Sequence, residues 1–269
     1  KLELELLNPY LFLFDEEEEC IIKGSNYRFT LLTERLIRIE YSPSGEFVDL
    51  PSERVLFRRF PKADFQVHHS ETLLQITTSY FTINYVKEKP IVKTKIPGGG
   101  NLQIILNGSD KVWYYGHPEA RNYSGIVANL DLTKNPFVEE AEVKDLRYVK
   151  NKLEGFLEVK SKGLYSADGY VSMDDSKSNF IAEDGTLIFN DKKRIDTYVF
   201  MYNRDFGSCL QNYFTLTGMP PLIPRYALGI WWNKNDFYYF DDIQKLLQNF
   251  NKYKIPMSIL LLGDNWHLK

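Results

Sequence analysis

The hydrophobic pattern of this 269-residue chain changes period once, and that change decides what it can fold into. From residue 21 to about 215, apolar residues recur at every second position. Between Arg35 and Tyr41, the side chains of Ile37, Ile39 and Tyr41 share one face, with Arg38 and Glu40 on the other. Between Tyr80 and Val86, Phe81, Ile83 and Tyr85 oppose Thr82 and Asn84, and Leu73 to Thr78 alternates more weakly. A period of two carried by β-branched and aromatic residues is the signature of strands. Turn residues separate these runs at Pro43-Ser44-Gly45, Pro97-Gly98-Gly99-Gly100 and Asn107-Gly108-Ser109-Asp110. Short strands at this spacing predict a β-sandwich. The Pro97–Gly100 run lacks the strand-to-helix context of a phosphate loop and reads as a hairpin tip or flexible loop.

Past residue 217 the period lengthens. Thr217-Gly218-Met219-Pro220-Pro221-Leu222-Ile223-Pro224 is a stiff connector, because each proline fixes φ and removes a donor. Ala227 to Trp232 then reads as a short buried strand. Phe240 to Tyr253 reads as an amphipathic helix, with Ile243, Leu246, Leu247 and Phe250 at spacings of three and four. Asp241 and Asp242 suit the positive end of that helix, and Pro256 follows its end. Met257 to Leu262 is a second apolar run. Strand, helix and strand in so short a span is a βαβ unit with parallel strands. Parallel strands are normally flanked by further strands and covered by helices. The natural protein is therefore expected to continue past Lys269, and the missing initiator Met suggests a trimmed start. The alternative is that the unit packs onto the sandwich and the chain is complete.

Charge and composition narrow the function classes. Lys plus Arg number 33 against 36 Asp plus Glu, a formal charge of -3, so nucleic acid is not an expected partner. No apolar run approaches the roughly 18 residues of a membrane helix, so no membrane partner is expected. The N-terminal KLELELLNPYLFLF lacks the layout of a signal peptide. Cys20 and Cys209 are the only cysteines and form neither a disulfide framework nor a zinc site, which fits a reducing cytoplasm. The acidic run from Asp15 to Glu19 reads as a solvated turn. The 40 aromatic residues suit either a β core or a sugar-binding surface.

The segment from Leu216 to His267 resembles glycoside hydrolase family 31, the α-glucosidase and α-xylosidase family. The resemblance is carried by LTGMPPLIPRYALGIWW at 216–232 and IPMSILLLGDNWH at 255–267. Three upstream pieces agree in order: GIVANLDLTKN at 125–135, GLYSADGYVSMDDS at 163–176 and DTYVFMYNRDF at 196–206. It implies a mainly β fold, with an N-terminal β-sandwich over residues 1–220. Residues 221–269 would then be the first βαβ unit of a truncated (β/α)8 barrel. It implies a retaining α-glycosidase, which uses two carboxyl groups about 5–5.5 Å apart. In this family both lie on later barrel strands. No catalytic residue is therefore expected within this chain, and the segment alone should be inert. No metal or organic cofactor is implied. The expected partner is an oligosaccharide of the maltose or isomaltose type; an α-xylosidase is the nearest alternative.

The segment's own contribution would be substrate contact at two strand ends, where sites of such barrels lie. The first strand ends at Trp231-Trp232 and leads to Asn235. Alternation lets only one tryptophan face a barrel interior, where its ring could stack on a pyranose; filling space between barrel and sandwich is the competing role. Asn235 stands where relatives often carry a ring. The second strand ends at Gly263-Asp264-Asn265-Trp266-His267. An acid there would orient sugar hydroxyls. Aligned on Trp266 and His267, the family's first Asp falls on Gly263, so Asp264 would take its place through a local shift, with Asn265 where the second Asp would be. His267 reads as structural. The substrate-binding candidates are thus Asp264, Trp231, Asn235, Asn265 and Trp266. Asp174-Asp175-Ser176 reads as a hydrogen-bonded turn supporting the barrel mouth rather than a metal cluster. His68-His69 is expected at the surface, and the loop from His117 to Asn129 is expected to reach toward the site. A rival reading is a noncatalytic β-sandwich module that binds sugar through Trp113 or Trp231. The exposed βαβ edge also points to self-association.

Overall fold

A computed structural model describes residues 18–87, 89–128, 158–190, 193–233 and 238–262. The chain divides into two compact units, one of residues 1–125 and 162–219, the other of 126–161 and 220–269.

The first unit is built on two five-stranded sheets. One contains β1 (Ile21–Lys23), β2 (Tyr27–Thr33) and β3 (Leu36–Tyr41). The other contains β4 (Gln66–His69), β5 (Leu73–Thr77), β6 (Phe81–Val86), β7 (Leu102–Leu106) and β8 (Val112–Tyr114), in that spatial order. Later in the chain come β9 (Gly125–Ala128) and β10 (Glu158–Ser161), which pair with each other and fall, but for Gly125, in the second unit. Next are β11 (Val171–Asp174), β12 (Phe180–Ile181), β13 (Leu187–Ile188) and β14 (Ile195–Phe200). Strands β14 and β11 complete the first sheet, whose order is β1-β2-β3-β14-β11. Every pairing in both five-stranded sheets is antiparallel.

Register follows the apolar pattern, because a slip of one residue would turn every side chain to the wrong face. Leu31 lies opposite Ile37 and Phe29 opposite Ile39, while Ile76 faces Ile83, which faces Ile104. These side chains join one buried cluster that draws on both sheets, as in a sandwich. Rings knit it together: Tyr85 meets Tyr27 at 4.9 Å and Phe29 at 5.2 Å, both edge-on.

The outer face of the first sheet is buried too. Here the polar positions of the alternating pattern carry a network of charges. Arg38 is fully buried and forks onto Asp196, with Nε donating to Oδ1 at 3.0 Å and Nη2 to Oδ2 at 2.8 Å. Arg28 forks in the same way onto Glu40, at 2.5 and 2.9 Å, and also pairs with Asp49. Arg38 Nη2 bridges the two pairs by reaching Glu40 at 3.0 Å. Beside them, buried Arg58 donates to the Tyr198 hydroxyl at 2.8 Å and to the Leu50 carbonyl. These residues sit opposite one another across β2, β3 and β14 because Arg28 pairs with Glu40, and Glu40 with Asp196, in the ladders.

The strand reading overshoots at its end. Residues Phe206–Thr217 form a helix, α1, where the period of two led us to expect strand through about 215. Aromatic and threonine residues in FGSCLQNYFTLT are weak helix formers, so the local pattern hides it. Its ends carry clear signals: the Asp205 carboxylate accepts from Ser208 N at 3.2 Å, and Gly218 closes the last turn at φ 89°. Cys209 and Leu216 of α1 pack with Leu32, Val55, Phe60 and Phe200 in a second cluster.

In the second unit, β15 (Trp231–Asn233), α2 (Phe240–Lys252) and β16 (Ile259–Leu261) follow one another. The two strands are parallel, with Trp231 opposite Ile259 and Asn233 opposite Leu261. The expected βαβ unit is present, but its first strand is not the buried Ala227 to Trp232: Arg225–Leu228 is a short helical turn, and the strand is Trp231–Asn233 and largely exposed. Asp242 at the start of α2 accepts from Tyr239 N at 3.2 Å. The turn before β15 packs so closely on the strand after α2 that a Cβ on Gly229 would run into the Ser258 side chain. Among the described residues, no helix is long and apolar enough to cross a membrane.

Burial alone would raise the Asp196 carboxyl. The charge of Arg38 and its hydrogen bonds overrule it and hold the group below the usual carboxylate range. Its contribution to stability is therefore complete above about pH 4 and is lost as pH falls toward the lower folded value. Asp196→Ala is expected to cost about 3–5 kcal/mol, since it takes from buried Arg38 the carboxylate that both its Nε and Nη2 meet. Urea unfolding across acid pH should show this loss, together with a shallower acid dependence in the variant.

Candidate functional site

The first strand end is built from its neighbours in sequence. Alternation along β15 sends Trp231 and Trp232 to opposite faces. Trp232 turns toward α2, where its ring meets Phe250 edge-on at 5.2 Å. Trp231 therefore faces away from the helix and is 47% exposed. Its indole is not loose: Nε1 donates to the Ala227 carbonyl at 2.8 Å, which anchors the ring's edge to the short helical turn Arg225–Leu228. An anchored ring with an open face is a surface on which an apolar sugar face can stack. Asn233, the last residue of β15, is exposed beside it. Asn235, Gly263, Asp264, Asn265, Trp266 and His267 lie outside the described residues.

Trp113 behaves differently from the rival reading. It is 1% exposed and part of the sandwich core, opposite Ile104. Trp113 cannot act as a sugar platform.

The loop after β8 forms a strap through Ser124, tied at His117, Glu119, Arg121, Asn122 and Tyr123 to the chain between Lys162 and Ser172. Asn122 brackets Gly163, accepting from its N at 2.8 Å and donating to its O at 2.9 Å. Arg121 pairs with Asp168 at 3.0 Å, and Tyr123 N donates to the Tyr165 carbonyl. Glu119 is buried, with a left-handed backbone at φ 46°. Its carboxylate accepts from Ser172 N at 2.9 Å and Ser172 Oγ at 2.5 Å, and meets Lys162 Nζ at 2.6 Å. Nothing in the sequence around Glu119 announced this node, since its partners are 43 and 53 residues away. Asn129, the end of the expected loop, lies outside the described residues. Next to the strap, the tilted rings of Tyr165 and Phe206 meet at 4.7 Å, and Tyr123 meets Phe206 edge-on at 6.4 Å.

Asp174-Asp175-Ser176 forms a hydrogen-bonded turn. Asp174 Oδ1 accepts from Ser176 N at 3.0 Å and Ser176 Oγ at 2.5 Å. Asp175 is fully buried and accepts from Ser52 Oγ at 2.7 Å. Burial, then the nearby Asp196 charge, pushes its carboxyl above the usual range. His68 and His69 are exposed on the edge strand β4. Among the described residues, no three His, Cys, Asp or Glu side chains gather as a metal site.

No protein-family model matches the chain. It is 34% identical over 74 residues to an α-xylosidase of Saccharolobus solfataricus, a match covering 28% of this chain and 10% of that protein. Its fold is similar to that of a family 31 glycoside hydrolase, the Flavobacterium johnsoniae dextranase solved with glucose. That likeness has a TM-score of 0.50 at 18% identity, over 91% of this chain and 32% of the dextranase. A family 31 α-xylosidase from a soil metagenome, solved with xylose, gives 0.50 at 12% identity over 89% of this chain and 40% of its own. In fold, the chain is thus similar to a part of these family 31 enzymes. It spans about a third of the length of the dextranase.

Glu119→Ala removes the acceptor shared by Lys162 and Ser172. It is expected to lower stability by about 1–3 kcal/mol, read by thermal unfolding, with the amides of 119–124 losing protection in hydrogen exchange.

Proposed function

We propose that the chain forms the β-sandwich and the first βαβ unit of the catalytic (β/α)8 barrel in a retaining α-glycosidase. The whole protein would hydrolyse terminal α-glucosidic bonds of short oligosaccharides of the maltose or isomaltose type. The observation that carries this reading is the parallel β15–α2–β16 unit, with Trp231 turned away from α2 and open. In a closed barrel, helices pack outside, so the face away from the helix is the interior. Trp231 is then the tryptophan that reaches the sugar, and Trp232 is the one that fills the strand–helix layer.

In this account the segment supplies no acid, base or nucleophile. The attacking carboxylate and the acid/base carboxyl belong to later barrel strands, and the segment alone is inactive. Asp264, Asn265 and Asn235 are assigned to sugar hydroxyls at the two strand ends. The α-xylosidase alternative rests on the sequence match to an α-xylosidase and on a structural neighbour that holds xylose. A pocket for glucose needs room for one more hydroxymethyl group, which separates the two by substrate preference. The open edges of the two-stranded β15–β16 sheet support self-association of the segment in isolation.

The test uses the whole protein with p-nitrophenyl α-glucoside and α-xyloside. The account expects higher kcat/KM on the glucoside; a preference for the xyloside would favour the alternative. Trp231→Ala is expected to lower kcat/KM by about 5- to 30-fold, equal to about 1–2 kcal/mol of transition-state binding, without lowering the melting temperature. Unchanged kinetics in that variant would remove Trp231 from the site.

A further inference from the structure

We propose that His117 is a pH-sensitive latch that holds the strap from His117 to Ser124 against the sandwich. The inference stands on the strap's own hydrogen bonds, whatever the activity of the whole protein.

The geometry fixes the imidazole's protons. Glu119 N–H donates to His117 Nδ1 at 2.8 Å, so Nδ1 must carry a lone pair. A neutral ring then holds its proton on Nε2, which lies 3.0 Å from the Tyr170 hydroxyl. That hydroxyl donates onward to the Val112 carbonyl at 3.0 Å, leaving its oxygen free to accept from Nε2. The donors thus run in one direction, from the strap through Tyr170 to β8. Tyr170 itself precedes β11, an edge strand of the first sheet, whereas β8 is an edge strand of the second. The His117 ring is therefore fixed at an edge where the two sheets are tied together.

A second proton on Nδ1 would set two N–H donors against each other at 2.8 Å. The Glu119 amide would lose its acceptor, and the left-handed backbone at φ 46° would lose the bond that compensates it. The strap would then open from His117 toward Ser124.

The groups facing the ring set where this happens. From the strap itself comes the Glu119 carboxylate. From the turn before β11 come Asp168, with its partner Arg121, and the Tyr170 ring, edge-on at 5.3 Å. From β8 comes Tyr114, edge-on at 4.8 Å, and from the chain after β10 comes Lys162. Burial disfavours the imidazolium most, and Lys162 adds to that. Glu119 and Asp168 pull the other way without overcoming it, so the ring titrates below its ordinary value. The sign follows: the latch is fully closed above about pH 6.5 and loosens as pH falls through the lower folded value.

The experiment combines long-range proton–nitrogen NMR of His117 with hydrogen exchange of residues 117–124 at about pH 7.5 and about pH 5. Expected are the Nε2–H tautomer at the higher pH and a midpoint below about 6.5. Strap exchange, corrected for intrinsic rates, should rise about tenfold or more at the lower pH, while β6 stays protected. His117→Asn places an amide oxygen near the Nδ1 position without a titrating group, so its strap protection should not change with pH. An Nδ1–H tautomer, unchanged wild-type protection, or a His117→Asn strap as pH-sensitive as wild type would each overturn the proposal. Should His117→Asn fail to fold, the tautomer and the wild-type exchange decide alone.

Discussion

The sandwich depends on the buried fork between Arg38 and Asp196. Strands β3 and β14 must pair in one register for the guanidinium to meet both carboxylate oxygens. That same register sets Ile37 opposite Val199 on the core face. A slip of one residue would therefore both break the fork and turn Arg38 into the hydrocarbon core. Buried ion pairs often add little net stability over apolar replacements, because desolvation offsets their attraction. Their weight here is in specificity: Arg28, Arg38 and Arg58, packed with their acceptors over one sheet face, tolerate few alternative pairings. Arg28, Arg38 and Arg58 each hold the connection between β3 and β4 in place through Asp49, Val48 or Leu50. The outer face is thereby sealed by polar contacts as the inner one is by rings.

Much of this was legible from residues. Strands β3, β5 and β6 follow the alternation of Ile37 and Ile39, of Leu74 and Ile76, and of Phe81 and Ile83. The βαβ unit follows the helix stripe Ile243–Leu246–Leu247–Phe250 and its proline boundaries. Two features stayed hidden for physical reasons. Alternation says which residues share a face, but it does not say whether the second face is wet. The pattern places Arg38 and Glu40 on the face opposite Ile37 and Ile39, and only the fold brings Asp196 to that face and buries it. Helix α1 was masked because its own residues favour other conformations; it is held by Asp205, Gly218 and the packing of Cys209 and Leu216.

The candidate site was legible only in part. Alternation foretold that Trp231 and Trp232 must part company, and the packing of Trp232 on Phe250 decides which goes where. Trp113 looked equally available in sequence and is sealed in the core. The Glu119 node, which joins the chain on both sides of β9 and β10, is a long-range construction that no local motif encodes. Such placements come from the fold, and only then from the sequence that specifies it.

The central claim is that this segment belongs to a retaining α-glycosidase. Proton NMR of the first anomer released by the whole protein from an α-glucoside tests it most directly. The account predicts that the α-anomer forms first and then mutarotates. Initial release of the β-anomer, or no hydrolysis of α-glucosides and α-xylosides, would contradict it.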